Sequence, residues 1–305
     1  MKLKNFLAMM AVAFLATGFT SCDDDDENNG GLTPPAETKS DLSGDYFGIK
    51  TYKMKGNDKI DSLCLCSVIA ENDGEYTIEL PKSFKNSQMK MPLVTMKNVK
   101  FVKDGAHTFT SNIDSTIVYD AISQMNPGTL DTCTINNFKA IINEVDGSCK
   151  MVYSITVKSM GFAFNYTFDM GKISGSYIGN NTMIVNDPTQ PTVDSLAVST
   201  ITSNGDGTIN ITLPEKQKTA KGMEMPAVVL KNLKIKTVDA NEFTFTMPTD
   251  RDTIKSEMGD GTTMSVIVKD VKATMKANKF NFMFTMKPGG MPFFIKNNFV
   301  GIPKK

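Results

Sequence analysis

The chain repeats itself, and the repeat constrains its fold more than any other feature. Gly44-Asp45-Tyr46-Phe47-Gly48 returns as Gly175-Ser176-Tyr177-Ile178-Gly179, and Asp61-Ser62-Leu63 returns as Asp194-Ser195-Leu196. The run Asp73-Gly74 to Leu80-Pro81 returns as Asp206-Gly207 to Leu213-Pro214. Met89-Lys90-Met91-Pro92 with Lys97-Asn98-Val99-Lys100 returns as Met223-Glu224-Met225-Pro226 with Lys231-Asn232-Leu233-Lys234. The offsets are 131, 133, 133 and 134 residues, so both order and spacing are kept. Collinear matches of this kind mark a duplication. Each copy has the length of an ordinary single domain. The boundaries read as 1–21 leader, 22–43 tether and linker, 44–172 first copy and 173–305 second copy.

Within a copy the hydrophobic period is two. Tyr76, Ile78 and Leu80 alternate with polar residues, as do Ile209, Ile211 and Leu213. Phe162, Phe164, Tyr166 and Phe168 make one apolar face, and Phe280, Phe282, Phe284 and Met286 make another. Alternation puts one face of an antiparallel sheet on a core and the other in water. Turn signals separate the runs at Asn72-Asp73-Gly74, Asp104-Gly105, Asp146-Gly147, Asn204-Gly205-Asp206-Gly207 and Asn278. About eight strands per copy are predicted, in the first near 45–54, 62–70, 75–80, 93–103, 107–113, 132–144, 148–158 and 162–169. Only the stretch around 115–125 leaves room for a turn or two of helix. Eight short antiparallel strands with an aromatic face make a closed barrel or a sandwich.

The N-terminus reads as an address. Lys2 and Lys4 form a short basic head, Phe6 to Phe19 is mostly apolar, and small polar residues precede Cys22. That run is too short to cross a bilayer core, which takes about 20 residues, and fits a cleaved signal peptide. Phe19-Thr20-Ser21-Cys22 resembles a bacterial lipobox, which implies that Cys22 becomes the N-terminus and carries a diacylglycerol. Asp23-Asp24-Asp25-Asp26-Glu27 stays extended by self-repulsion. It resembles the acidic export signal of Bacteroidetes lipoproteins displayed on the outer face of the outer membrane. In enterobacteria an Asp at this place instead implies inner-membrane retention; the length of the block favours export. Asn28 to Ser43 then reads as linker.

With these parts together, each copy resembles the calycin-like domain of secreted Bacteroidetes lipoproteins, a lipocalin-type eight-stranded up-and-down barrel. Gly44-Asp45-Tyr46 and Gly175-Ser176-Tyr177 sit where lipocalins carry Gly-x-Trp on the first strand. Tyr replaces Trp, and no Arg lies near either final strand to cap the ring. The resemblance implies an all-β chain of two tandem barrels.

Charge and composition narrow the chemistry. Residues 41–305 hold 30 basic against 27 acidic side chains, and the only Arg is Arg251. A nearly neutral, Arg-poor body is not expected to bind nucleic acid. His107 is the only imidazole, its counterpart region Asn241-Glu242-Phe243 has none, and a surface position is expected for it. Cys64, Cys66, Cys133 and Cys149 all lie in the first copy. Cys64 and Cys66 share a face of one strand, so a bond between them is geometrically poor. A hairpin centred on Asp146-Gly147 sets Cys149 opposite about Ile142, not Cys133. Open alternatives are four buried thiols, one bridge from Cys64 or Cys66 to Cys133 or Cys149, or a metal site, the last disfavoured because no C-x₂-C knuckle is present. The frequent methionines, among them Met96, Met151, Met275, Met283 and Met286, serve either as core filler or as an adaptable lining. Asp250-Arg251-Asp252 reads as a solvated loop. No catalytic, metal or cofactor site is expected, and no ligand-binding residue is assigned.

The functional expectation is a surface-anchored binding or accessory module without catalysis. Its partners would be the membrane through Cys22 and either a small apolar ligand held in a barrel, a surface protein or a glycan. The alternative is a structural or adhesion component whose barrels are filled and hold no ligand.

Overall fold

The computed structural model describes residues 41–54, 57–71, 74–84, 91–185, 188–212, 228–257 and 262–304. Outside them lie the leader, Cys22, the acidic block, the linker up to 40 and several repeat positions, including Asn72-Asp73, Met89-Lys90, Leu213-Pro214 and Met223 to Pro226. The first copy forms β1 (Gly44–Met54), β2 (Asn57–Ala70), β3 (Glu75–Ser83), β4 (Thr95–Lys100), β5 (Val102–Lys103), β6 (Thr108–Ile122), β7 (Leu130–Asn143), β8 (Ser148–Val157) and β9 (Phe162–Lys172). The second forms β10 (Gly175–Val185), β11 (Thr192–Ser203), β12 (Thr208–Thr212), β13 (Val229–Asp239), β14 (Glu242–Thr246), β15 (Arg251–Glu257), β16 (Thr263–Lys276), β17 (Lys279–Pro288) and β18 (Ile295–Pro303).

Each copy is a meander whose first and last strands pair, in the order β4-β3-β2-β1-β9-β8-β7-β6-β5 and β14-β13-β12-β11-β10-β18-β17-β16-β15. The two barrels differ in how they close. In the second, β14 pairs with β16 from Glu242↔Lys276 to Phe245↔Ala273, which completes an eight-strand ring and leaves β15 as an extra strand on β16. In the first, β5 pairs with β6 over two residues only, and Leu93 bridges Ile122 through two 2.9 Å backbone bonds. The predicted single strand 93–103 is therefore divided at Phe101. The stretch at 115–122 is strand, not helix: β6 runs through it with Val118 and Ala121 inward and Ile117, Tyr119 and Ile122 exposed. Apolar residues on both faces hid its period of two.

The aromatic faces point inward as expected. Phe164, Tyr166 and Phe168 are buried in the first barrel, and Phe280, Phe282, Phe284 and Met286 in the second. Tyr153 and Phe168 stack at 5.4 Å, and Phe282 and Phe284 at 5.0 Å, in the offset range that aromatic pairs favour. The Gly-x-Tyr motif has one geometry in both copies. Tyr46 Oη donates to the Leu42 carbonyl and Tyr177 Oη to the Ile173 carbonyl, each at 2.7 Å. The glycines two residues earlier, Gly44 and Gly175, have φ of 142° and 143°, where a side chain would be strained.

The barrels share a packed interface. Phe47 and Leu65 face away from the first barrel's core and are buried with the core of the second. Equivalent hairpin turns meet there: Asn278 Nδ2 donates to the Val145 carbonyl at 2.9 Å, and Asn241 Nδ2 to the Asp146 carbonyl at 3.0 Å. Asn278 lies close over Gly147, whose φ of 66° also favours glycine. Two of the predicted turns, Asp146-Gly147 and Asn278, are thus joined.

Candidate functional site

The inward positions of both barrels are occupied by their own Phe, Tyr, Met and aliphatic side chains. Two of the hollows among the described residues lie instead on the outer walls, at equivalent places. The first, of about 380 Å³, crosses β1, β9, β8 and β7; the second, of about 310 Å³, crosses β10, β18, β17 and β16.

A bulge shapes each hollow. The β7–β8 ladder slips between Asn136 and Lys139, and the β16–β17 ladder slips between Lys269 and Lys272. Asn137 and Asp270 occupy the bulges with φ of 52° and 56°. Asn and Asp tolerate this left-handed backbone better than other side chains, and the extra residue bends the strand. The linings then correspond position by position. Thr51 matches Thr182, Ser154 matches Thr285, and the exposed Val152 matches the exposed Met283. Each hollow therefore presents hydroxyls and a carboxamide or carboxylate beside an exposed apolar side chain, with further apolar or aromatic residues in its lining. Lys53 and Asp58 border the first, and Lys272 and Lys296 border the second.

A second polar arrangement belongs to the first barrel alone. After a bulge at Gly48, Lys50 turns inward opposite Asp61 on β2 and Phe168 on β9. Lys50 Nζ donates to Ser83 Oγ and lies 3.8 Å from Asp61 Oδ2. The rings of Tyr52 and Tyr166 flank the same nitrogen at 5.5 and 5.6 Å. Burial holds the Lys50 ammonium below its ordinary pKa, with Asp61 opposing that shift. The second barrel carries Asn181, Met183 and Asn297 in place of Lys50, Tyr52 and Tyr166, and retains Asp194 opposite Asn181. Sequence reasoning did not single out Lys50; the signal was a mismatch two residues past the end of the first repeat motif.

The other sequence candidates fall in plain places. His107 is half exposed and pairs with Glu144 at 3.0 Å. Cys64, Cys66, Cys133 and Cys149 are buried free thiols, and Cys149 lies opposite Ile142, as the hairpin reading required. Cys66 Sγ approaches Met151 Sδ at 3.9 Å. Burial pushes the Cys64 thiol up to about 12 and the Cys133 thiol up to about 11, so both stay protonated at neutral pH. Among the described residues, no three His, Cys, Asp or Glu side chains gather as a metal site. Met96, Met151, Met275 and Met286 are core, whereas Met283 lines the second hollow. Cys22 lies outside the described residues.

A third hollow, of about 430 Å³, opens in the seam between β4 and β6, with Met96 and Val118 at its base and exposed Ile117 and Tyr119 on its rim. It follows from the incomplete closure of the first barrel.

The model of the calycin-like β-barrel domain family matches residues 42–170 and again 173–302, so the chain belongs to that family as two tandem domains. Calycin-like barrels are typically binding domains rather than enzymes. No curated protein matches the chain. A crystal structure of a "putative outer membrane protein" from Bacteroides fragilis is similar at 18% identity, covering 86% of this chain and 97% of the other, with a TM-score of 0.33.

Proposed function

We propose that this chain is a non-catalytic binding module of the bacterial envelope that recognises a neutral, hydroxyl-rich ligand, a glycan, through its two outer-wall hollows. The observation that carries this reading is the repetition of the same chemistry at equivalent positions. Hydroxyls at Thr51/Thr182 and Ser154/Thr285, with an Asn or Asp at the bulge, offer donors and acceptors to sugar hydroxyls. Val152 or Met283 supplies the apolar surface against which a sugar ring's C–H face can rest. Net charge near zero suits a neutral ligand. Interiors filled by Phe and Met favour surface recognition over an apolar ligand in the barrel. Two like sites raise avidity for a repeating chain if both engage together.

In this reading Cys22 carries the lipid anchor, and the acidic block directs the barrels to the cell surface with the linker as spacer. A glycan array carrying neutral and acidic oligosaccharides, alongside immobilised fatty acids, tests the ligand class. Signal confined to neutral oligosaccharides supports it, and signal only on acidic glycans or on fatty acids overturns it. For the anchor, Cys22→Ala should move the protein from the membrane to the soluble fraction. Deleting Asp23–Glu27 should protect it from protease added to intact cells. Equal protease sensitivity of both forms would defeat the export assignment.

A further inference from the structure

We propose that Lys50 is a carbonyl-capturing amine, a reversible covalent site for small aromatic or conjugated aldehydes at the rim of the first barrel. Four features of its surroundings converge. The side chain turns inward yet keeps 12% of its surface accessible, so it is enclosed but not sealed from solvent. Tyr52 and Tyr166 flank it with π faces, which suit a flat conjugated ligand and favour the cationic iminium that forms. Asp61 and Ser83, both within reach of the nitrogen, supply a proton acceptor and a hydroxyl. Partial desolvation raises the neutral fraction of the amine over that of a surface lysine, as in other nucleophilic lysines.

The chemistry balances without any further reactant. The Nζ lone pair attacks the aldehyde carbon, and the carbonyl π pair moves to oxygen. A proton passes from nitrogen to that oxygen by way of Asp61, giving a carbinolamine. The carbinolamine hydroxyl then takes up the proton that Asp61 had accepted from the Lys50 ammonium before attack, the C–O bond breaks with its pair leaving on water, and the nitrogen lone pair forms the C=N bond of the iminium. Hydrolysis reverses each step, so this is capture and release.

The duplication argues that the arrangement is not required by the barrel. The second copy builds the same wall with Asn181, Met183 and Asn297 at these places. A buried ion pair contributes little net stability, so a structural need does not explain its presence.

The test uses the folded chain with cinnamaldehyde and sodium cyanoborohydride near pH 8, which reduces the imine to a stable secondary amine. Intact mass and peptide mapping then rank all lysines by rate. Lys50 should be modified at least tenfold faster than the median lysine, and the advantage should vanish in urea. Asp61→Asn, with the fold checked by circular dichroism, should slow Lys50 labelling while leaving the other lysines unchanged. Labelling of Lys50 no faster than the surface lysines would overturn the proposal, as would an advantage that persists in the unfolded chain.

Discussion

The Tyr46 hydroxyl reaches back four residues to the Leu42 carbonyl at 2.7 Å, inside a barrel wall where both residues are buried. Its equivalent, Tyr177 to Ile173, repeats the distance. In both copies the motif's tyrosine fastens its own strand entry. Tyr46→Phe and Tyr177→Phe each leave a buried carbonyl without this donor, at a cost of about 1–3 kcal/mol. Urea unfolding should show losses of that size for both variants. A change in only one copy would mean that the two motifs are not mechanically equivalent.

Gly48 and Gly179 are held by a neighbouring backbone. A Cβ at Gly48 would lie 2.1 Å from the Asp169 carbonyl oxygen, and one at Gly179 would lie 2.0 Å from that of Val300. Neither contact can be relieved by a side-chain rotation. Gly48→Ala and Gly179→Ala should each cost about 3 kcal/mol or more, at the severe end of single substitutions. Thermal unfolding reads this directly, and a loss below about 1 kcal/mol would show that the strands can separate.

These cases show what the sequence made legible. Alternation at Phe164-Tyr166-Phe168 and Phe280-Phe282-Phe284 is a local pattern with one physical meaning, so strands, duplication and core faces could be read directly. The division at Phe101 and the extension of β6 through Ile117–Ile122 could not, because pairing across a seam depends on partners distant in sequence. The hollows were hidden for a similar reason. Thr51, Ser154 and Asn137 sit on three strands and become neighbours only when the wall bends at a bulge. Phe47 misleads in another way, since its apolar character serves the neighbouring barrel's core rather than its own.

The thiols give a pH-dependent prediction with a definite sign. Burial raises Cys64 to about 12 and Cys133 to about 11, whereas in the unfolded chain thiols ionise near their ordinary value of about 8.5. Between those values the unfolded state has lost protons that the folded state keeps. The thiol contribution to stability is therefore present in full below about pH 8.5 and is lost as pH rises toward 11–12. Unfolding free energy should fall over that window, and less steeply when Cys64 and Cys133 are replaced by Ala. Ellman's reagent at pH 8 should leave all four barrel thiols unmodified until denaturant is added. Rapid reaction of the native chain would contradict their burial.

The interface should make the barrels unfold together. Phe47 is fully buried against the second copy's core, and truncating such a side chain typically costs about 3–5 kcal/mol. Phe47→Ala combined with Asn278→Ala should split a single calorimetric transition into two. A transition that remains single would locate the coupling elsewhere.

The central claim is that two equivalent outer-wall hollows bind a neutral glycan. Val152 and Met283 are the exposed apolar contacts at matching places, so Val152→Glu and Met283→Glu alter the hollows with little effect on the core. The most direct measurement is the affinity of the parent chain and of these variants for the neutral oligosaccharide giving the strongest array signal, by calorimetry. Each single variant should retain one site with weakened overall affinity, and the double variant should lose binding while keeping its melting temperature. Undiminished binding by the double variant, or no neutral oligosaccharide bound by the parent chain, would contradict the account.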